Sequence, residues 1–233
     1  MIYSYDVFDT VITRRTATPE GIFAIIQNEL CENPVYGDIS NDVRNNFFEL
    51  RVSAERMARY TFCKDELEEI TLRDVYAILN TTHKCDDIMI DRLISLECEI
   101  EYQNTISVPH IVNEIEERIK HKDRVIFVSD MYLPRDVVRK LLVRASSEFS
   151  EIPLYISSEY KKTKSSGKLF YVVKEAENAC FSEWMHTGDN EWSDGKVPDS
   201  LGIETHLITA AHLLDIEKGI LKSEEDNSAV QLE

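Results

Sequence analysis

The hydrophobic pattern changes its period twice along the chain. Residues 2–5 (Ile-Tyr-Ser-Tyr) are mostly apolar or aromatic and stop at Asp6, which predicts a short buried strand. From about residue 19 the spacing becomes helical. Ile22, Phe23, Ile25, Ile26 and Leu30 share one face of a helix over 19–30. Val43, Phe47, Leu50, Ala54, Met57 and Ala58 share one face of a helix over 40–60. Thr71 followed by Asp74 predicts a capped helix start before Val75, Ile78 and Leu79, and 88–106 predicts a fourth helix with glutamates on its outer face. Beyond Pro109 the elements alternate: helix 109–122, strand 124–129, helix 134–144, a weaker strand 153–157, helix 166–178, strand 183–187 and a last strand 203–208. The run 124–129 is apolar and β-branched, as buried parallel strands are. This alternation implies an α/β fold with a parallel sheet of βαβ units. The helical block after the first strand reads as an insert whose ends return near each other.

Composition narrows the function classes. The 233 residues include 43 acidic and 26 basic ones, a formal net charge of −17. Phosphate backbones and anionic membranes repel such a chain. No basic run exceeds Arg14-Arg15 or Lys161-Lys162, so nucleic acid is not an expected partner. No stretch reaches the ~20 apolar residues of a membrane span, and the first residues do not resemble a signal peptide. The five cysteines (Cys31, Cys63, Cys85, Cys98, Cys180) are odd in number and form no C-x-x-C, which predicts reduced, mostly buried thiols. A cytoplasmic protein, monomer or homodimer, is the expectation.

Ligands of open parallel sheets bind beyond the carboxyl ends of the strands. At those ends stand Asp6 with Asp9 and Thr10, Ser129 with Asp130, Lys164, and Gly188-Asp189 with Asp194. A carboxylate can attack phosphorus to form an acyl-phosphate. Aspartates that stay ionised side by side need a cation, and hard oxygen ligands suit Mg²⁺. A hydroxyl and an ammonium can hold the transferring phosphoryl oxygens.

These segments resemble, in order, the four motifs of the haloacid dehalogenase-like (HAD) superfamily. Asp6-Val-Phe-Asp-Thr10-Val resembles motif one, and Val125-Ile-Phe-Val-Ser129-Asp-Met-Tyr-Leu-Pro134 motif two. Lys164-Ser-Ser-Gly-Lys-Leu-Phe170 resembles motif three, and Gly188-Asp189-Asn-Glu-Trp-Ser-Asp194 motif four. From Asp6 it is 123 residues to Ser129, 35 more to Lys164 and 25 more to Asp189. The resemblance implies a Rossmann-like core over 1–15 and 107–221, a helical cap inserted over 16–106, and an acidic flexible tail over 222–233. It implies an Mg²⁺-dependent phosphatase acting on a small phosphorylated metabolite. Asp6 would be the nucleophile and a metal ligand. The backbone carbonyl of Phe8 and Asp189 would be further ligands, with Asp194 binding the metal or supporting it through water. Ser129 and Lys164 would hold the phosphoryl group, and Thr10 would fix the motif-one loop. Asp130 and Arg14 are further candidates for contact with an anionic substrate. The six histidines show no ligand spacing and read as structural.

The sequence departs from the family in one place. HAD phosphatases carry a second Asp two residues after the nucleophile as general acid and base, and here that residue is Phe8. Haloacid dehalogenases also lack it, but they attack carbon without metal, and Gly188-Asp189 argues against that branch. Phosphonatases use a cap lysine, for which only Lys64 and Lys84 are available. Phosphotransferases and weak phosphatases dispense with it, so a phosphotransferase or a weakly catalytic binding module with partner surfaces at Trp184 and Trp192 are the alternatives. Motifs one and two are also similar to HAD domains of bacterial surface-polysaccharide clusters, which implies sugar phosphates as substrates.

Overall fold

The computed structural model describes residues 1–83 and 86–208. The expected tail over 222–233 lies outside the described residues. The chain begins with β1 (Ile2–Tyr5) and a short β2 (Ile12–Arg14), then enters a run of helices: α1 (Gly21–Glu32), α2 (Asn41–Asn45), α3 (Phe47–Phe62), α4 (Leu72–His83) and α5 (Asp87–Asn104). It returns through β3 (Thr105–Ser107), α6 (Pro109–Lys120), β4 (Arg124–Ser129) and α7 (Arg135–Ala145). It ends with β5 (Leu154–Ile156), α8 (Ser157–Tyr160), α9 (Lys168–Glu177), β6 (Trp184–Gly188), α10 (Val197–Ser200) and β7 (Glu204–Leu207).

The main sheet is entirely parallel, in the order β5-β4-β1-β6-β7. β1 lies at its centre, and the chain builds outward from it first through β4 and β5, then through β6 and β7. The direction of winding therefore reverses beside β1, the position where open α/β sheets bind ligands. Both faces are covered, as a parallel sheet requires. Val125 and Phe127 of β4 pack into a cluster with α6 and α7, while Ile126 and Val128 pack with Leu169, Phe170 and Val173 of α9.

The expected helical block is present between β2 and β3, and its two ends meet. Ile12, Thr13 and Arg14 pair antiparallel with Ser107, Ile106 and Thr105, a ribbon the sequence did not announce. Residues 105 and 106, expected in a helix, are drawn into it. The helix expected over 40–60 is two helices: Asn46 leaves helical geometry (φ −117°, ψ 15°) while its side-chain amide donates to the Asp42 carbonyl. Thr71 and Asp74 form a reciprocal cap, each side chain accepting the other's backbone N–H. The block does not hold its apolar faces apart from the core: Ile22, Phe47 and Leu93 belong to the same buried cluster as Val7, Val11 and Phe127. Of the cysteines described, Cys31 and Cys180 are exposed and Cys63 and Cys98 half-buried, so the expectation of mostly buried thiols fails. Among the described residues no helix is long and apolar enough to cross a membrane.

Candidate active site

The site assembles at the carboxyl ends of β1, β4 and β6. The ladder continues one step past β1, where the Asp6 N–H donates to the Thr187 carbonyl at 2.9 Å. A tight loop follows: Val11 and Ile12 both donate N–H bonds to the Val7 carbonyl, and Asp9 donates to the Ile12 carbonyl at 2.7 Å. None of these bonds uses the Phe8 carbonyl. The turn forces Asp9 into the left-handed region (φ 58°), with its carboxylate accepting from Thr13 Oγ1 at 2.7 Å. The Thr10 hydroxyl sits between two carboxylates, 3.4 Å from Asp6 Oδ2 and 3.3 Å from Asp189 Oδ1.

Lys164 enters this group from the opposite side. Its ammonium, 2 % exposed, donates at 2.5 Å to both Asp6 Oδ1 and Asp194 Oδ1. Lys161, Lys162 and Lys168, the neighbours with which it shares a segment, instead pair with Asp74, Glu66 and Glu68. Asp130, considered for substrate contact, is occupied in holding Lys164 in place: its carboxylate accepts the backbone N–H of Lys164 at 2.7 Å and of Ser165 at 3.3 Å. Ser129 lies buried at the end of β4.

Asp6, Asp189 and Asp194 each offer an oxygen within 4.8 Å of the other two. One ammonium serves this whole group, and the electrostatics follow. Burial raises the Asp194 carboxyl, but Lys164 and His186 outweigh it and hold the group well below the usual range. Burial pushes Asp6 up to about 8, against the pull of Lys164 and with added repulsion from Asp194 and Asp189. Burial also raises Asp189. Lys164 thus balances Asp194 while Asp6 and Asp189 are held toward their neutral forms; a hard divalent cation would let them ionise, and an all-oxygen donor set of this size fits one.

Gly188 makes the close approach of Asp194 possible. A Cβ at residue 188 would lie 2.5 Å from Asp194 Cγ. Gly188→Ala is therefore expected to push Asp194 out of the group and weaken Mg²⁺ binding about tenfold or more, read by calorimetry, with the fold intact by circular dichroism.

Two expectations do not match the geometry. Arg14 does not face the site as a free cation. It is buried, donates from Nε and Nη2 to Glu101 of α5 at 2.8–3.1 Å, and lies 4.5 Å from the centre of the Phe8 ring. Trp184 is 1 % exposed and offers no surface to a partner, whereas Trp192 is exposed and donates from Nε1 to the Ser165 carbonyl.

Three features gave no motif-level signal. The first is a buried chain from Trp184 Nε1 to Ser4 Oγ (2.6 Å), on to His186 Nδ1 (2.6 Å), and from His186 Nε2 to Asp194 Oδ1 (3.1 Å). Burial holds the His186 imidazole below its ordinary value, although Asp194 opposes this. The available clue was Ser4, a polar residue in the middle of an apolar strand, since buried polar groups need partners. The second is the way the helical block meets this edge. Glu68 accepts from Thr163 N (3.0 Å) and Ser166 Oγ (2.5 Å), Glu69 accepts from Ser157 Oγ (3.2 Å), and Leu72 N donates to the Tyr132 carbonyl (2.9 Å). The segment between α3 and α4 is thereby seated on the loop that carries Lys164. The third is a π-helical turn, Glu191–Lys196, which carries Asp194 back toward Asp189.

No protein-family model matches the chain, and no curated protein matches it significantly. Solved structures do. A HAD family enzyme from Bacteroides thetaiotaomicron is 17 % identical, covering 89 % of this chain and 93 % of that one, at a TM-score of 0.55. The same enzyme in complex with magnesium and inorganic phosphate is 15 % identical over 90 % of this chain and 94 % of that one, also at 0.55. A haloacid dehalogenase-like hydrolase from Bacteroides fragilis is 16 % identical over 93 % and 90 %, at 0.50. Likeness over nine-tenths of both chains, with the parallel sheet and its central β1, makes this chain a protein of the haloacid dehalogenase-like hydrolase fold.

Proposed function

We propose that the chain is an Mg²⁺-dependent phosphatase of small phosphate monoesters, sugar phosphates among them, working through an aspartyl-phosphate at Asp6. The observation that carries this reading is the meeting of Asp6, Asp189 and Asp194 around Lys164 at the point where the sheet reverses direction. The structural likeness to an enzyme solved with magnesium and inorganic phosphate supports it. The cation would be held by Asp6, Asp189 and the Phe8 carbonyl, with Asp194 beside them. When bound it supplies charge neutralisation between the aspartates and the phosphoryl oxygens.

Asp6 attacks phosphorus, the ester P–O bond breaks, and the leaving oxygen departs as an alkoxide or aryloxide that takes its proton from solvent water. Water then attacks the acyl-phosphate, releasing inorganic phosphate and regenerating the Asp6 carboxylate. Lys164 and Ser129 hold the phosphoryl oxygens, and Thr10 keeps the Asp6 loop closed against Asp189. Asp130 acts through the backbone of Lys164 and Ser165. The helices of 16–106 act as a cap that closes over the bound ester, excludes bulk water while the phosphoryl group passes to Asp6, and opens for the alcohol to leave and water to enter.

Phe8 stands where a general acid would be, and its ring is turned to Arg14 rather than to a proton donor. General acid–base help contributes about 10²–10⁴-fold, so substrates that need a proton on the leaving oxygen lose most. Phosphate release is therefore expected to be fastest from an aryl phosphate and to fall steeply as the leaving alcohol becomes more basic. It should stop in EDTA and return with Mg²⁺. Turnover that persists in EDTA overturns the metal reading. The same Phe8 favours one second reading, a phosphotransferase: phosphorylated acceptor alcohol in place of inorganic phosphate would establish it.

A further inference from the structure

We infer that His186, held by Ser4 and Trp184, is a positioning residue that fixes Asp194 and, through it, the ammonium of Lys164. The argument begins with the direction of the hydrogen bonds. An indole N–H can only donate, so Ser4 Oγ accepts from Trp184 Nε1 at 2.6 Å. The Ser4 proton then has two acceptors in reach, His186 Nδ1 at 2.6 Å and the Met185 carbonyl at 3.4 Å. The other ring nitrogen decides between them: Nε2 faces Asp194 Oδ1 at 3.1 Å, and a carboxylate can only accept. The proton of the neutral ring therefore sits on Nε2, and Nδ1 accepts from Ser4. The chain thus points one way, from Trp184 to Asp194, and selects the imidazole tautomer that can hold Asp194.

The ring cannot easily turn to do otherwise. Ser4 and His186 are directly paired across β1 and β6, so the sheet register sets their distance. Phe170 packs edge-on against both rings, 5.2 Å from His186 and 5.7 Å from Trp184. His186 is fully buried. At the far end Asp194 Oδ1 receives both Nε2 of His186 and Nζ of Lys164, while Oδ2 accepts the Asn190 N–H at 3.1 Å. A neutral donor on Oδ1 orients the carboxylate without competing for its charge, which remains for Lys164. Partners of this kind behind a metal-site carboxylate usually affect metal affinity or activity by about 10–100-fold when removed.

The test uses the full chain and three variants: His186→Phe, which removes the donor, His186→Gln, which returns an N–H near the Nε2 position, and Ser4→Ala. Long-range ¹⁵N–¹H NMR of the imidazole should show the Nε2–H tautomer in the unsubstituted protein and lose that preference in Ser4→Ala. Calorimetry with Mg²⁺ should show affinity at least about tenfold weaker in His186→Phe and restored to within about threefold in His186→Gln. Hydrolysis of a chromogenic aryl phosphate should follow the same order in kcat; this arm alone rests on the phosphatase reading. An Nδ1–H tautomer, or a folded His186→Phe protein with unchanged Mg²⁺ affinity, overturns the inference. Should His186→Phe fail to fold, the tautomer and the Ser4→Ala affinity decide, and Mg²⁺ binding unchanged in Ser4→Ala with no tautomer shift is the overturning result. Absence of turnover in every form, with the tautomer and affinity results as expected, counts against the phosphatase reading and not against this one.

Discussion

Asp6→Asn is expected to lower phosphate release by roughly 10⁴-fold or more, the scale seen when a covalent nucleophile is removed. An amide neither attacks phosphorus at a useful rate nor accepts the Lys164 ammonium as strongly as a carboxylate does. Asp6 is 7 % exposed and surrounded by Lys164, Thr10 and Asp189, so the isosteric change leaves the packing in place. It also removes one of the mutually repelling carboxylates, so the melting temperature should hold or rise. Mass spectrometry after brief incubation with an aryl phosphate should find a phosphoryl group on the unsubstituted chain and none on Asp6→Asn. Unchanged turnover in Asp6→Asn would remove Asp6 from the chemistry, and loss of turnover with loss of fold would show a structural role instead.

The largest effect on stability is expected at Arg51 in the helical block. Its side chain is fully buried and donates from Nε and Nη2 to Glu97, both at 2.8 Å, with a third bond to Glu55 at 3.1 Å. Tyr76 donates to the same Glu97 at 2.7 Å, and the guanidinium carbon lies 4.4 Å from the centre of the Phe23 ring and 5.1 Å from that of Tyr132. Although burial opposes the charge, Glu97 holds the guanidinium well above its ordinary value. Arg51→Ala leaves the Glu97 carboxylate buried with Tyr76 as its main donor. Removing one member of a buried pair costs about 3–5 kcal/mol. For a chain of this size that is roughly 6–20 °C of melting temperature. The double change Arg51→Met with Glu97→Leu should recover much of the loss, because no charge is then stranded. A loss below about 1 kcal/mol for Arg51→Ala would show that water reaches Glu97.

Tyr132 gives this pair a bearing on the site. It follows Ser129 and Asp130 in the same loop, and its carbonyl accepts from Leu72 of α4. The helical block is therefore tied to the site loop by a ring stacked on a buried cation and by a backbone bond. Asp6→Asn and Arg51→Ala should separate cleanly, the first reading in turnover and the second in melting.

Legibility in the sequence followed the range of the signal. β4 was readable because five consecutive residues, Val125 to Ser129, are buried, and β1 because its largely apolar run stops at Asp6. Asp6 and Asp189 were readable because each directly follows an apolar strand, whereas Lys164 and Asp194, farther beyond β5 and β6 among polar neighbours, were picked out through the motif resemblance. The ribbon of β2 and β3 was not, since three residues are too few to show a period. Arg14 was misplaced because its partner, Glu101, is remote in sequence and nothing local shows that a surface-looking Arg-Arg pair is half interior. Asp130 carried no sign that its acceptors would be taken by the backbone of the Lys164 loop. His186 looked structural because its role depends on Ser4, which only the register of β1 with β6 brings opposite.

The central place of β1 also sets the order in which the molecule can be made. Ile2 pairs with Arg124 on one side and Trp184 on the other, so β1 leaves the ribosome before both of its neighbours and is seated on both sides only when β6 arrives. At about 5–20 residues per second it waits roughly ten to forty seconds for its second neighbour. Meanwhile the helices between β2 and β3 have their own partners close in sequence, and local contacts form sooner than distant ones. Asp6, Lys164, Asp189 and Asp194 therefore come together only when β6 docks, and every nascent chain that ends before β6 carries Asp6 without Asp189 and Asp194.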